Sequence, residues 1–91
     1  MAKCLKALFR GTVQGVGFRY TAGNIAKRFD VTGYVRNLPN GQVEMTAEGE
    51  EATLMEFLNA VRESSLAAYI RDVEVEWSES QGIFRDFRVA L

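Results

Sequence analysis

The chain has 91 residues, of which 47% are apolar and 25% are charged. These values are typical of a folded protein with room for one core, so we expect a single domain spanning residues 1–91. The chain contains no histidine and one cysteine, Cys4, which excludes a cluster of soft metal ligands and a Ser-His or Cys-His nucleophile. A lone thiol fits a reducing compartment, and the start of the chain lacks the apolar run of a signal peptide, so we expect a cytoplasmic protein.

Charge is distributed unevenly along the chain. The net charge is −1, but residues 1–37 carry +6 and residues 38–91 carry −7. Folding can interleave the two halves and leave little field between them, or an anionic ligand can belong with the first half. No apolar stretch approaches the roughly 18–20 residues of a membrane span, so the sequence predicts no membrane partner.

The first half of the chain predicts a strand, a helix and a second strand. Lys3–Arg10 alternates between apolar and polar residues, as a half-buried strand does, and the strand ends at Gly11. Gly23 interrupts the helix that follows and weakens it by about 1 kcal/mol relative to alanine. Thr32–Asn37 predicts the second strand, and Leu38–Gly41 predicts the tight turn after it. The apolar stripe of the helix consists of Phe18, Ala22, Ile25, Ala26 and Phe29.

The second half of the chain predicts the remaining elements. A strand from Gln42 to Glu48 places Val43, Met45 and Ala47 inward and Gln42, Glu44, Thr46 and Glu48 outward. A helix opens at Glu50 and Glu51 and buries Leu54, Phe57, Leu58 and Val61. The chain is completed by a strand in which Val73, Val75 and Trp77 alternate with acidic residues, and by a short closing strand with Phe87 and Val89 on one face. We assign Tyr20, Trp77 and Phe84 to core or surface packing.

This order predicts an α+β fold, a ferredoxin-like βαββαβ sandwich. In such a fold two helices cover one face of an antiparallel sheet, and a short extra strand follows at the C-terminal end. The first two strands are joined through a helix and therefore run parallel, so the segment Gly11–Arg19 and the residue Asn37 arrive at the same edge of the sheet.

The turn between the first strand and the first helix is a candidate anion site. Glycines 11, 15 and 17 permit backbone conformations in which successive N–H groups point at one oxyanion, and Arg19 adds a planar fork of donors. The turn is neither a P-loop nor a dinucleotide fingerprint, because Tyr20 stands where the third glycine of the fingerprint belongs. Three glycines are also typical of a plain strand-to-helix turn.

The motif Gly-Thr-Val-Gln-Gly-Val-Gly-Phe-Arg at Gly11–Arg19, together with Gly-Tyr-Val-Arg-Asn at Gly33–Asn37, resembles the signature of the acylphosphatases. The likeness continues through Gly41–Val43, Ala47–Gly49 and Val73–Trp77, so it covers nearly the whole chain. The resemblance implies hydrolysis of acyl phosphates to a carboxylate and inorganic phosphate, without cofactor, metal or nucleic acid. It implies that Arg19 binds the phosphoryl group and Asn37 orients the attacking water. The backbone N–H groups that would hold the phosphate oxygens belong to Gln14, Gly15, Val16, Gly17 and Phe18.

Three other functions compete with this interpretation. An acylphosphatase-like domain also begins large carbamoyl-transferring proteins, where it acts on carbamoyl phosphate, but the length of this chain favours a free-standing enzyme. We expect it to be a monomer. A ferredoxin-like domain can also be a binding module without catalysis, either for RNA or for a regulatory small molecule. Against RNA, the strand Gln42–Glu48 carries no aromatic residue for base stacking, and the chain is slightly acidic. A catalytically inactive descendant is the third alternative, although Arg19 and Asn37 are both retained.

Overall fold

The computed structural model describes residues 2–91. The elements in chain order are β1 (Ala2–Gly11), α1 (Phe18–Ala26), β2 (Thr32–Asn37), β3 (Val43–Glu50), α2 (Glu51–Arg62), a short 3-10 helix (Ser65–Tyr69), β4 (Ile70–Glu79) and β5 (Phe87–Val89). The predicted order of strands and helices is confirmed. The 3-10 helix was not predicted; the hydroxyl of Ser64 caps it by accepting a hydrogen bond from the N–H of Leu66.

The five strands form one sheet in the order β4-β1-β3-β2-β5. β1 pairs antiparallel with β3 and β4, and β2 pairs antiparallel with β3, so β1 and β2 run in the same direction. β5 pairs parallel with β2, with Val89 opposite Val35. The ferredoxin-like fold is therefore confirmed, and the closing strand makes the sheet mixed rather than purely antiparallel.

The core lies between the helices and one face of the sheet. The inward residues predicted for β1 and β3 are all fully buried, and so is Val35 on β2. The ring of Phe57 on α2 is fully buried, and the partly buried rings of Phe29 and Phe87 pack against it at centroid distances of 5.8 and 5.4 Å. The fully buried residues of β1 and β3 are Leu5, Ala7, Phe9, Val43, Met45 and Ala47.

The opposite face of the sheet is covered by polar side chains. Glu44 lies on this outward face, as predicted, but only 3% of its surface is exposed. Its carboxylate accepts hydrogen bonds from the hydroxyl of Tyr34 (2.5 Å) and the guanidinium of Arg36 (3.0 and 3.2 Å). Burial opposes ionisation of Glu44, but these bonds outweigh it, so the pKa of Glu44 lies below its ordinary value. The outward direction of Glu44 is therefore confirmed, and its burial comes from the polar side chains of Tyr34 and Arg36 on the neighbouring strand β2.

Glu48 is buried for a different reason. Its carboxylate accepts hydrogen bonds from the hydroxyl of Ser80 (2.9 Å) and from the N–H groups of Gln81 (2.9 Å) and Gly82 (3.1 Å). These residues begin the connection from β4, at one edge of the sheet, to β5, at the other edge. Glu48 therefore fixes the path by which the chain reaches β5.

Gly23 allows β5 to pack closely against α1. A Cβ atom at position 23 would stand 2.6 Å from a methyl group of Val89, well inside the roughly 3.5–4.0 Å at which two carbon atoms rest in contact. The residue that weakens α1 is therefore the residue that seats the closing strand.

No helix in residues 2–91 has the length and apolar character that crossing a bilayer demands.

Candidate active site

The parallel strands β1 and β2 end at the same edge of the sheet, and a cleft of about 220 Å³ lies there. Its wall combines the glycine-rich turn, the start of α1, the end of β2 and the end of the chain. The lining residues are Val13, Gly15, Gly17, Phe18, Arg19, Tyr20, Asn37, Val89 and Leu91.

The glycine-rich turn presents backbone donors to this cleft. Gly15 and Gly17 have φ angles of 79° and 76°, in the left-handed region that favours glycine. Gly17 immediately precedes α1, and no side chain of residues 2–91 caps that helix. The carbonyl of Gly17 accepts the first hydrogen bond of the helix, from the N–H of Thr21 (3.0 Å). The N–H groups that precede Thr21 have no carbonyl within the helix to bind, so they are available to a ligand. Together with the positive end of the helix dipole, they form a site suited to an anion.

The side chain of Gln14 joins the turn to the β2–β3 hairpin. Its Nε2 donates to the carbonyl oxygens of Leu38 (2.7 Å) and Gln42 (2.9 Å). The N–H of Leu38 also donates to the Gln42 carbonyl (2.8 Å), so the amide of Gln14 completes the closed end of the hairpin. Asn37 is the residue before Leu38, and Gln14 therefore sets the distance between the glycine-rich turn and Asn37.

The side chain of Arg19 is oriented by a backbone carbonyl of the segment that follows β5. Its Nη1 donates to the carbonyl of Ala90 (2.7 Å), and the N–H of Ala90 donates to the carbonyl of Val35 (2.9 Å). Ala90 thus connects the arginine on α1 with β2, the strand that ends at Asn37. A guanidinium has five N–H donors, and one bond to Ala90 orients the group while leaving donors for a ligand.

The structure brings most of the candidate residues together. Gly15, Gly17, Phe18, Arg19 and Asn37 all line the cleft. Gln14 and Val16 are not among its lining residues: the side chain of Gln14 faces the hairpin, and Val16 packs against the core. The prediction for these two residues concerned their backbone N–H groups. The positions of their side chains neither support nor contradict it.

Five residues of the site were not among the predicted site residues: Val13, Tyr20, Val89 and Leu91 line the cleft, and Ala90 holds Arg19. Tyr20 was assigned to packing, although its position directly after Arg19 and at the start of a helix could have indicated a place at the cleft. The pairing of β5 with β2 and the carbonyl of Ala90 leave no signal in the residue types.

The chemistry of the site rests on hydrogen-bond donors. Among residues 2–91, no group of three or more His, Cys, Asp or Glu side chains is arranged to hold a metal ion. The charged side chain on the cleft is Arg19. Such a site binds an anion through fixed dipoles and one cation.

Comparison with known proteins agrees with this geometry. The acylphosphatase family model matches residues 5–89. An acylphosphatase of Dehalococcoides mccartyi is 42% identical over 87 residues, which cover 94% of this chain and 96% of the relative. The crystal structure of the Bacillus subtilis acylphosphatase superposes with a TM-score of 0.89 at 34% identity and covers all of both chains. A crystal structure of HypF from T. kodakarensis has a TM-score of 0.83 at 30% identity, but 98% of this chain matches only 12% of that one.

Proposed function

Because the chain belongs to the acylphosphatase family, enzymes that hydrolyse acyl phosphates to a carboxylate and inorganic phosphate, we propose that Arg19 and Asn37 are its catalytic residues. The observation that carries this assignment is that the glycine-rich turn, Arg19 and Asn37 line one cleft. The turn and the arginine offer donors to the phosphate, and Asn37 faces them from the end of β2.

Binding of the phosphoryl group is assigned to Arg19 and to the N–H groups of residues 14–18. Phosphoryl transfer through a loose transition state places charge on the equatorial oxygens, and fixed donors aimed at those oxygens stabilise it. The hydrogen bond from Arg19 to Ala90 supports this role, because it holds the guanidinium in one orientation before the substrate arrives.

Asn37 is assigned to the nucleophilic water. A neutral amide cannot accept the proton of the water, but it can hold the water by a donor and an acceptor in line with the phosphorus. The bond from the water oxygen to phosphorus forms as the bond to the acyl oxygen breaks. A phosphate oxygen of the substrate takes the proton.

The leaving group explains why the site needs no acid. A carboxylate whose conjugate acid has a pKa near about 4 departs without protonation at neutral pH. The absence of histidine from the chain is therefore compatible with this reaction. We propose further that the enzyme works in the cytoplasm, because its lone cysteine, Cys4, suits a reducing compartment. We also propose that it works as a monomer, since one copy of the chain supplies the glycine-rich turn, Arg19 and Asn37.

The assignment is tested by hydrolysis of benzoyl phosphate in the presence of EDTA. Arg19→Gln is expected to weaken competitive inhibition by inorganic phosphate strongly. Asn37→Ala is expected to lower kcat about 100-fold or more while leaving that inhibition intact, as loss of one positioning group does in other enzymes. The matched controls are Arg62→Gln and Asn59→Ala on the exposed side of α2, which should behave as wild type. Full turnover by Asn37→Ala would refute its role.

A further inference from the structure

Three of the large apolar side chains left exposed in residues 2–91 lie around the same cleft. Tyr20 is 72% exposed, Val89 46% and Leu91 fully exposed, and all three belong to the cleft lining. Exposed apolar side chains scattered singly need no explanation, but three around one functional cleft indicate an apolar ligand group.

The cleft is divided between a polar and an apolar part. Gly15, Gly17, Arg19 and Asn37 supply its donors, whereas Tyr20, Val89 and Leu91 supply apolar surface. Its lining contains no acidic side chain, so no opposite charge favours a substrate ammonium group there. Tyr20 follows Arg19 directly at the start of α1, and Leu91 follows Ala90, which holds Arg19. The apolar surface therefore adjoins the anion site.

We propose that Tyr20, Val89 and Leu91 form an acyl-group subsite that selects substrates with an aromatic or branched apolar acyl group. This inference rests on the proposed function, because the anion site must hold the phosphate for the acyl group to reach the subsite. An apolar acyl group gains affinity by removing its own surface and that of Tyr20 from water. An acetyl or a carbamoyl group is too small to cover this surface, and a carbamoyl group is also polar, so neither gains as much from burial there.

The kinetic test compares benzoyl phosphate with acetyl phosphate. Tyr20→Ala is expected to raise KM for benzoyl phosphate about ten-fold, equivalent to about 1.4 kcal/mol. KM for acetyl phosphate and inhibition by inorganic phosphate should stay within two-fold of wild type. Tyr20→Phe, which keeps the aromatic ring, should retain the preference for benzoyl phosphate that Tyr20→Ala loses. Ile83→Ala, at another exposed apolar residue outside this cleft, is the control and should change nothing.

A binding test separates the subsite from the reaction. Calorimetry with benzylphosphonate and methylphosphonate, which are not hydrolysed, should give tighter binding of benzylphosphonate to wild type and loss of that difference in Tyr20→Ala. If wild type hydrolyses neither acyl phosphate but shows this difference, the proposed function is wrong and the subsite stands. If both substrates are hydrolysed and Tyr20→Ala affects them equally or not at all, the subsite is wrong and the proposed function stands.

Discussion

Replacing Gly23 with alanine should damage the active site while leaving the fold intact. The new Cβ would stand 2.6 Å from a methyl group of Val89, about 1 Å closer than carbon atoms in contact. Val89 belongs to β5, a three-residue strand at the edge of the sheet. We expect β5 to yield rather than α1, because β5 has far fewer hydrogen bonds to lose.

The size of the effect follows from the Arg19–Ala90 hydrogen bond. Arg19 and Gly23 are four residues apart and share one face of α1, so a displacement that relieves Gly23→Ala also moves Ala90 away from Arg19. A shift of about 1 Å would lengthen this 2.7 Å bond beyond hydrogen-bonding distance. Misplacement on this scale lowers kcat/KM roughly 10- to 100-fold. Stability should change little, since alanine restores about 1 kcal/mol of helix propensity.

Acetyl phosphate is the substrate of choice for this assay, because it does not depend on the apolar side chain of Val89. Initial rates, inhibition by inorganic phosphate and urea unfolding would be measured for Gly23→Ala, Val89→Ala and the double variant. Removing the Val89 methyl groups makes room for the new Cβ, so the double variant should recover to within about three-fold of Val89→Ala. Asn24→Ala, an exposed change on the same helix, is the control.

Two results would refute the reasoning. Wild-type activity in Gly23→Ala would mean that β5 absorbs the added carbon without moving Arg19. A double variant as impaired as Gly23→Ala would mean that the damage does not pass through Val89.

Three further predictions concern Gln14 beside the active site, the buried carboxylate of Glu44, and Phe57 in the core. Gln14→Leu removes both hydrogen bonds to the hairpin and should lower kcat at least ten-fold in the benzoyl phosphate assay; the exposed Gln81→Leu should not, and equal loss in both would contradict a role in positioning. Glu44→Gln should cost about 1–3 kcal/mol at pH 7 by urea unfolding. Folding lowers the pKa of Glu44. The stability that its carboxylate contributes is therefore fully present above the ordinary pKa of about 4.3 and is lost as the pH falls through the pKa of the folded state. The wild type should therefore lose more stability than Glu44→Gln below about pH 5, and parallel pH profiles would exclude this. Phe57→Ala should cost about 3–5 kcal/mol in the same unfolding experiment, because the rings on either side of it cannot fill the cavity; a cost under about 1 kcal/mol would show that they can.

Residue patterns were sufficient for the architecture and for half of the site. Alternation in β1 and β3 and the helical stripes identified the buried residues, because burial on one face imposes a period of two or of 3.6. The meeting of Gly11–Arg19 with Asn37 followed from the parallel direction of strands joined through a helix. These features depend on residue type and order, which the sequence carries directly.

Other features of the site depend on backbone atoms and on cover from distant segments. The side chain of Gln14 donates to two backbone carbonyl oxygens, and that of Arg19 donates to a third. Because every residue type has a backbone carbonyl, residue types do not reveal these hydrogen bonds. The burial of Glu44 and Glu48 could not be predicted, because alternation assigns a face to each residue but does not tell what covers that face. Gly23 was predicted to affect stability, and its contact with Val89 appears only once β5 is placed on α1.

The placement of β5 has a consequence for how the enzyme responds to heat. β5 is short and lies at the edge of the sheet, whereas β1 and β3 pair along most of their length at its centre. Edge segments with few buried contacts open locally at a lower free-energy cost than global unfolding. If β5 opened in this way, Ala90 would leave Arg19, and Val89 and Leu91 would leave the cleft, while the remaining sheet stayed folded. We therefore expect activity to decline on warming before circular dichroism detects melting, because activity depends on the docking of β5 and not only on the stability of the whole chain.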